Sequence, residues 1–255
     1  ERNGTVLEER GFTSMINTSS CELYIFKADA AKNTGVAIAI CPGGGYMRLN
    51  FSVSTAKWFA SHGITVAWVK YRLPNGYKEA PLEDAMGAIR YMRTRTDIGI
   101  DPKKVGVTGS SAGGHIAAWV SCAMPDGEKP AFSIPRYGSM SRVEFYTGSS
   151  ANKALLGKGF CFQDAVDMSV QNMVTSTTPP TLLLLCDDDR VVESKSSVIY
   201  YEALIHHGVK ASMHIFPYGA HGLGTGKVES RGVVPHITIW PELLRRWLEL
   251  FGFFG

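Results

Sequence analysis

The sequence predicts an α/β fold, with a mostly parallel central sheet covered by helices on both faces. Three observations carry that expectation. Short, continuous apolar runs recur along the chain. Between them lie longer stretches with apolar residues at helical spacing. Of the 255 residues, 45% are hydrophobic and 19% charged. Ordinary soluble domains carry ~25% charge, so apolar material for a large core is plentiful. One domain spanning 1–255 is expected.

The strands come in order at 36–41 (VAIAIC), 64–69 (ITVAWV), 105–108 (VGVT), 132–137, 182–185 and 213–216. Their apolar residues run continuously rather than alternating, the pattern of strands buried on both faces in a parallel sheet. Helices are expected at 53–61, 81–95, 112–124, 198–206 and 240–250. In 81–95, Leu82, Ala85, Met86, Ile89 and Met92 fall on one face. His207-Gly208 closes the helix of 198–206, and Pro241 sits in the first turn of the last one. The stretch 125–180 breaks this rhythm. Outside 132–137 it reads as loops and short helices. Ligands of α/β folds bind at the carboxyl ends of the strands, so this loop-rich insertion is expected to roof the site as a minimal lid.

The formal charge of +3 is spread thinly, with Lys103-Lys104 and Arg245-Arg246 as isolated pairs. No basic stripe with interleaved aromatics exists, which argues against a nucleic-acid partner. No apolar run reaches the ~18 residues of a membrane span. The five cysteines show no CxxC spacing and indicate neither a metal site nor a disulfide framework. The chain opens on Glu1, read as the trace of a removed upstream segment. Periplasmic or secreted and cytoplasmic locations both stay open.

Four loops after four strands carry the chemistry. Gly109-Ser110-Ser111-Ala112-Gly113 is a GxSxG between a strand and a helix, the context of a nucleophile elbow. Ser111 is the candidate nucleophile. The competing phosphate cradle lacks the Lys-Ser/Thr ending of a P-loop. Pro42-Gly43-Gly44-Gly45-Tyr46 follows the first strand. Glycines there let backbone N–H groups approach a carbonyl oxygen that turns negative, and each such donor can be worth roughly 3 kcal/mol. The expected donors are Gly44, Gly45 and Ala112. Asp187-Asp188-Asp189 follows the strand at 182–185, where one acid could orient a histidine while the others face solvent. Tyr218-Gly219-Ala220-His221-Gly222-Leu223-Gly224 places His221 in a glycine-flanked loop after the last strand. His115 sits one turn into the helix after Ser111 and cannot reach serine and acid together. The order serine, acid, histidine is that of α/β-hydrolases.

These motifs resemble a group of small bacterial esterases related to hormone-sensitive lipase, and more narrowly the acetyl-xylan-esterase-like proteins. The matching segments are CPGGGY (41–46), VKYRLP (69–74), APLEDAMGAIRYMR (80–93), VGVTGSSAGGHIAA (105–118), TPPTLLLLCDDDRVV (178–192) and FPYGAHGLG (216–224). The resemblance covers nearly all of the chain after about residue 35. It implies an α/β-hydrolase fold and a triad of Ser111, Asp189 and His221, with Asp188 as runner-up acid. Cys186 stands where the family usually has glycine, Glu193 where it has proline, and Pro42 where esterases usually have histidine. Tyr71-Arg72-Leu73 and Asp84 read as scaffold, and Trp58, Trp68 and Trp119 as core rather than sugar platforms. The resemblance further implies release of short acyl groups, acetyl first, from a carbohydrate such as acetylated xylan, with no cofactor and no metal. The rivals are a general short-chain or feruloyl esterase, a lipase, a serine peptidase of the prolyl-oligopeptidase type, and a non-catalytic binding protein on the same scaffold.

Overall fold

A computed structural model describes residues 5–9, 12–144, 149–223 and 235–254. Residues 145–148 of the insertion and Gly224 of the histidine motif lie outside them. The first half contains β1 (Thr5–Glu9), β2 (Phe12–Ile16), β3 (Glu22–Phe26), β4 (Ala37–Cys41), β5 (Leu49–Phe51), α1 (Ser54–Ser61), β6 (Thr65–Lys70) and α2 (Ala80–Thr94). The second contains β7 (Val105–Ser110), α3 (Ala112–Ala123), β8 (Ser133–Arg136), α4 (Ser150–Leu156), α5 (Phe162–Asp167), β9 (Thr181–Cys186), α6 (Ser194–His206), β10 (Ala211–Phe216) and α7 (Trp240–Leu250).

The main sheet has seven strands in the order β10-β9-β8-β7-β4-β6-β3. All pairs are parallel except β3 with β6. The continuous apolar runs are its interior: every residue of β4, β6 and β9 is buried. Alternation reappears only in partial form at the sheet margins, where Ile215 of β10 is exposed. The helices bury the faces their spacing marks out. Leu82, Ala85, Ile89 and Met92 of α2 are buried, as are Trp240, Leu244, Trp247 and Leu248 of α7. Trp68 is core, and Trp58 and Trp119 pack against it.

The structure adds elements to those expected. A separate antiparallel sheet, β1-β2-β5, and the edge strand β3 carry no long apolar run. α6 begins at Ser194 rather than 198, and its serine-rich first turn carries no apolar periodicity to mark it. Ser196 and Ser197 are nevertheless buried, and Ser196 Oγ accepts the Ser141 N–H at 3.0 Å. Among its described residues the insertion contains loops, β8 and the short helices α4 and α5.

β7 and β4 are neighbours, with Cys41 opposite Gly109, so their carboxyl ends bring two glycine-rich loops together. The approach is tight: a Cβ on Gly113 would stand 2.0 Å from the Cys41 carbonyl oxygen. One on Gly127 would meet nothing within 4 Å. Gly113→Ala is therefore expected to lower the thermal midpoint sharply, with ~2 kcal/mol or more lost through overpacking against backbone. Gly127→Ala should leave it nearly unchanged, and equal midpoints for the two variants would contradict this packing.

Candidate active site

β7 ends and α3 begins at Ser111, with no loop between them. The turn is so sharp that Ser111 takes φ 56° and ψ −120°, a conformation rarely held by a residue with a side chain. Two backbone hydrogen bonds hold it there. Ser111 N–H donates to the Arg136 carbonyl at 3.0 Å, and the Ser111 carbonyl accepts from His115 N–H at 3.1 Å. A Cβ on Gly109 would lie 1.9 Å from the Gly113 oxygen, so glycine on both flanks is a steric requirement.

The structure brings Ser111, His221 and Asp189 into one relay. His221 Nε2 lies 2.9 Å from Ser111 Oγ, and His221 Nδ1 lies 2.7 Å from Asp189 Oδ2. An ionised carboxylate only accepts hydrogen bonds, so Nδ1 carries the imidazole proton and Nε2 is free to accept the serine proton. Asp189 is only 3% exposed. Burial opposes its ionisation, but the bond from His221 and those from Val192 and Val191 N–H outweigh it. The carboxyl is therefore held below its ordinary value. The Tyr137 ring stands edge-on to His221 at a centroid distance of 5.2 Å.

The three consecutive aspartates have three tasks. Asp187 accepts from Ser194 Oγ at 3.1 Å, at the start of α6. Asp188 accepts the Ala220 N–H at 2.7 Å and so ties down the histidine loop. Asp189 faces the imidazole. Cys186, in place of a glycine, fits because Gly219 lies against it: a Cβ on Gly219 would be 2.5 Å from the sulfur. Burial, then Asp188 and Asp189, push the Cys186 thiol up to about 12, leaving it un-ionised.

The loop after β4 lies directly over this turn. A Cβ on Gly43 would stand 3.2 Å from Ser111 Cβ. Gly44 has φ 136°, and a Cβ there would collide with the Arg48 carbonyl at 2.0 Å. Ala112 opens α3, so its N–H has no acceptor within the helix. Gly43 is thus the loop residue seen directly against Ser111, and Gly44 and Gly45 follow it along the same loop. The loop is anchored from below by Tyr71, whose hydroxyl donates to the Pro42 carbonyl at 2.8 Å. Next along the chain, Arg72 grips Asp84 through Nε and Nη2 at 2.8–3.0 Å, the scaffold part expected of that segment.

A buried chain of polar groups behind the loop was not legible in the sequence. Tyr46 Oη lies 2.6 Å from His115 Nδ1, and His115 Nε2 lies 2.7 Å from the Met168 carbonyl oxygen. A carbonyl only accepts, so Nε2 bears the proton and Nδ1 accepts from the Tyr46 hydroxyl. Burial and then the positive charge of Arg142 hold His115 well below its ordinary value, which keeps it neutral. Arg142 donates to Tyr46 Oη at 3.4 Å and lies over its ring at 5.2 Å. Asn152 holds Arg142 in turn, accepting at 3.4 Å and donating to its carbonyl at 3.0 Å. His115 is thus a strut between α3, the glycine loop and the insertion. Its i+4 spacing from Ser111 was the available signal.

Residues 49–241 match the family model described as the prolyl oligopeptidase family. The chain belongs to that family. Among curated proteins, an acetylxylan esterase from Xylanibacter ruminicola is 35% identical over 201 residues, which are 76% of this chain and 42% of that protein. The chain therefore spans less than half the length of this relative. Among solved structures, an acetyl ester-xyloside bifunctional hydrolase from Caldicellulosiruptor lactoaceticus aligns with TM-score 0.82 and 31% identity, covering 99% of this chain and 98% of that one. A sugar hydrolase from Lactococcus lactis aligns with TM-score 0.79 and 24% identity over 97% and 98% of the two chains, a likeness of fold. The α/β-hydrolase fold expected from the sequence is the fold of these family relatives. Among the described residues no cluster of three or more His, Cys, Asp or Glu side chains could hold a metal, and no helix is long and apolar enough to cross a membrane.

Asp189→Asn should cut kcat on an ester by about 10⁴, since Asn can favour the wrong imidazole tautomer. The depressed Asp189 carboxyl contributes stability above its unfolded value of about 4 and loses it as the pH falls through its lower folded value. The variant should accordingly lose less stability than wild type as the pH falls from about 4 through that lower value, as read by denaturant unfolding across acid pH. Tyr46→Phe removes the donor to buried His115 Nδ1, at an expected cost of ~1–3 kcal/mol in the same measurement. An unchanged unfolding midpoint would remove Tyr46 from the strut.

Proposed function

We propose that this chain is a serine esterase that removes short acyl groups, acetyl first, from a carbohydrate such as acetylated xylan. The observation that carries the reading is the relay of 2.9 Å from Ser111 Oγ to His221 and 2.7 Å from His221 to Asp189, built on a strained strand-to-helix turn. His221 takes the Ser111 proton as the oxygen attacks the ester carbonyl. The oxygen that becomes negative sits among the N–H groups of Gly44, Gly45 and Ala112. Collapse of that intermediate breaks the ester bond, and His221 returns the proton to the departing alcohol. Water, losing a proton to the same imidazole, then attacks the acyl-serine and releases the acid. Asp189 steadies the imidazolium in both halves. Every proton is held by His221, so the steps balance without a metal or organic cofactor.

The acetyl and sugar parts draw support from the relatives named as an acetylxylan esterase and an acetyl ester-xyloside hydrolase. The family's name favours a second reading, cleavage after proline in peptides. The test runs p-nitrophenyl acetate, butyrate and octanoate beside acetylated xylan and a prolyl p-nitroanilide peptide. A steep preference for acetate with acetate released from xylan is expected. Turnover of the peptide alone would favour the second reading. Ser111→Ala should drop ester turnover below about one thousandth of wild type with an unchanged unfolding midpoint. Retained activity in that variant would reject Ser111 as nucleophile.

A further inference from the structure

A cavity opens beside the residues that follow the glycine loop. It has a volume of about 370 Å³ and is lined in part by Tyr46, Met47, Asn17, Asn75, Lys153 and Lys158. That size falls within the ~300–1,000 Å³ range of small-ligand clefts. Met47 lines this space and also packs against the glycine loop: a Cβ on Gly45 would stand 3.2 Å from Met47 Cε. Met47 is itself 47% exposed, and its unbranched thioether can yield to a ligand running across it.

Four exposed polar side chains, Asn17, Asn75, Lys153 and Lys158, stand at the cavity among apolar neighbours such as Leu73 and Ala154. Asn17 and Asn75 sit at left-handed turns, φ 55° and 46°, on segments joined by the Leu73 N–H donating to the Thr18 carbonyl at 3.0 Å. Neither side-chain amide bonds to another described residue, so each presents donors and an acceptor to a ligand. Adjacent hydroxyls of a sugar offer the same mixture in return. Lys153 and Lys158 come from α4 and the turn after it, which the Asn152–Arg142 pairing anchors to the buried strut. Neither lysine has a carboxylate within ion-pair distance among the described residues. Two uncompensated ammonium groups beside two amides fit a hydroxyl-rich ligand that also bears a negative charge.

We propose that this cavity binds a sugar residue carrying a carboxylate, lying next to the sugar whose ester is cut at Ser111. This rests on the sugar-ester reading above. It goes beyond that reading by naming an anionic neighbouring sugar as the feature the enzyme selects.

The test is calorimetric binding to the full chain of two oligosaccharides without acetyl groups, xylotriose and xylotriose bearing a glucuronosyl substituent. Wild type should bind the charged form about fivefold more tightly, the scale of two partly exposed ion pairs. The double variant Lys153→Gln with Lys158→Gln should erase the difference, and 0.5 M salt should weaken it. Lys103→Gln with Lys104→Gln changes net charge equally at the opposite end of β7 and should leave it intact. Equal affinity of wild type for both sugars, no binding of either, or the same loss in the Lys103/Lys104 variant would each overturn the proposal. Acetate release from the acetylated forms is read in parallel. Charge-selective binding without acetate release would support the cavity assignment while rejecting the esterase reading.

Discussion

The left-handed backbone of Ser111 is the constraint on which the rest of the structure turns. A residue with a side chain in such a conformation costs of order 1–3 kcal/mol and persists only where the surroundings over-determine it. Here they do so from three directions. β8 supplies the Arg136 carbonyl to Ser111 N–H, α3 supplies His115 N–H to its carbonyl, and β4 presses Cys41 against Gly113. Each of these partners is central in the sheet or packed on it, so the strain is distributed over the most buried part of the molecule. The return is geometric: the hydroxyl projects beyond the sheet edge, where three other strand-end loops can reach it.

Those loops are held by bonds that belong to different layers. The histidine loop hangs from the acid loop twice, once by the Ala220 N–H to Asp188 and once by the imidazole to Asp189. The glycine loop is held from below by Tyr71 and from behind by Tyr46. The last of these reaches a cation, Arg142, that is almost completely buried and has no carboxylate partner among the described residues. Its charge acts in one direction along the chain from Arg142 to Tyr46 to His115 to the Met168 carbonyl. It adds to burial, the larger cause, in opposing a second positive charge on His115, and that neutrality is what lets Nδ1 accept from Tyr46. Burial first, and the buried arginine second, thereby keep the imidazole neutral, and the Met168 carbonyl fixes which nitrogen bears its proton.

How far the sequence was legible depended on whether a feature was local. The buried strands announced themselves as unbroken apolar runs, and the elbow as a GxSxG between a strand and a helix. Gly44 and Gly113 are glycines for reasons visible only as close approaches, yet their positions in short motifs marked them. What escaped was built from residues far apart in the chain. Arg142 meets Tyr46 across 96 positions, and nothing in the irregular stretch around Arg142 signals a buried cation. β1, β2 and β5 escaped for another reason. They form a small sheet of their own, and their short sequences lack the unbroken apolar run of a strand buried on both faces.

The run Asp187-Asp188-Asp189 shows how much one residue of register carries. Each of the three carboxylates finds a different donor, a side-chain hydroxyl, a backbone N–H and an imidazole. Composition alone cannot rank them, and alignment with a family pattern could. The physical reason is the following turn. Asp189 Oδ1 accepts the N–H groups of Val191 and Val192 at 2.8 and 2.9 Å, which fixes the carboxylate plane and leaves Oδ2 for the histidine. Asp188 lacks that cradle and instead fixes the backbone on which the histidine stands. Ring and loop are thus oriented by adjacent residues of one turn. A distortion of that turn would move both together, so the relay geometry depends on the backbone after β9 as much as on the acid itself.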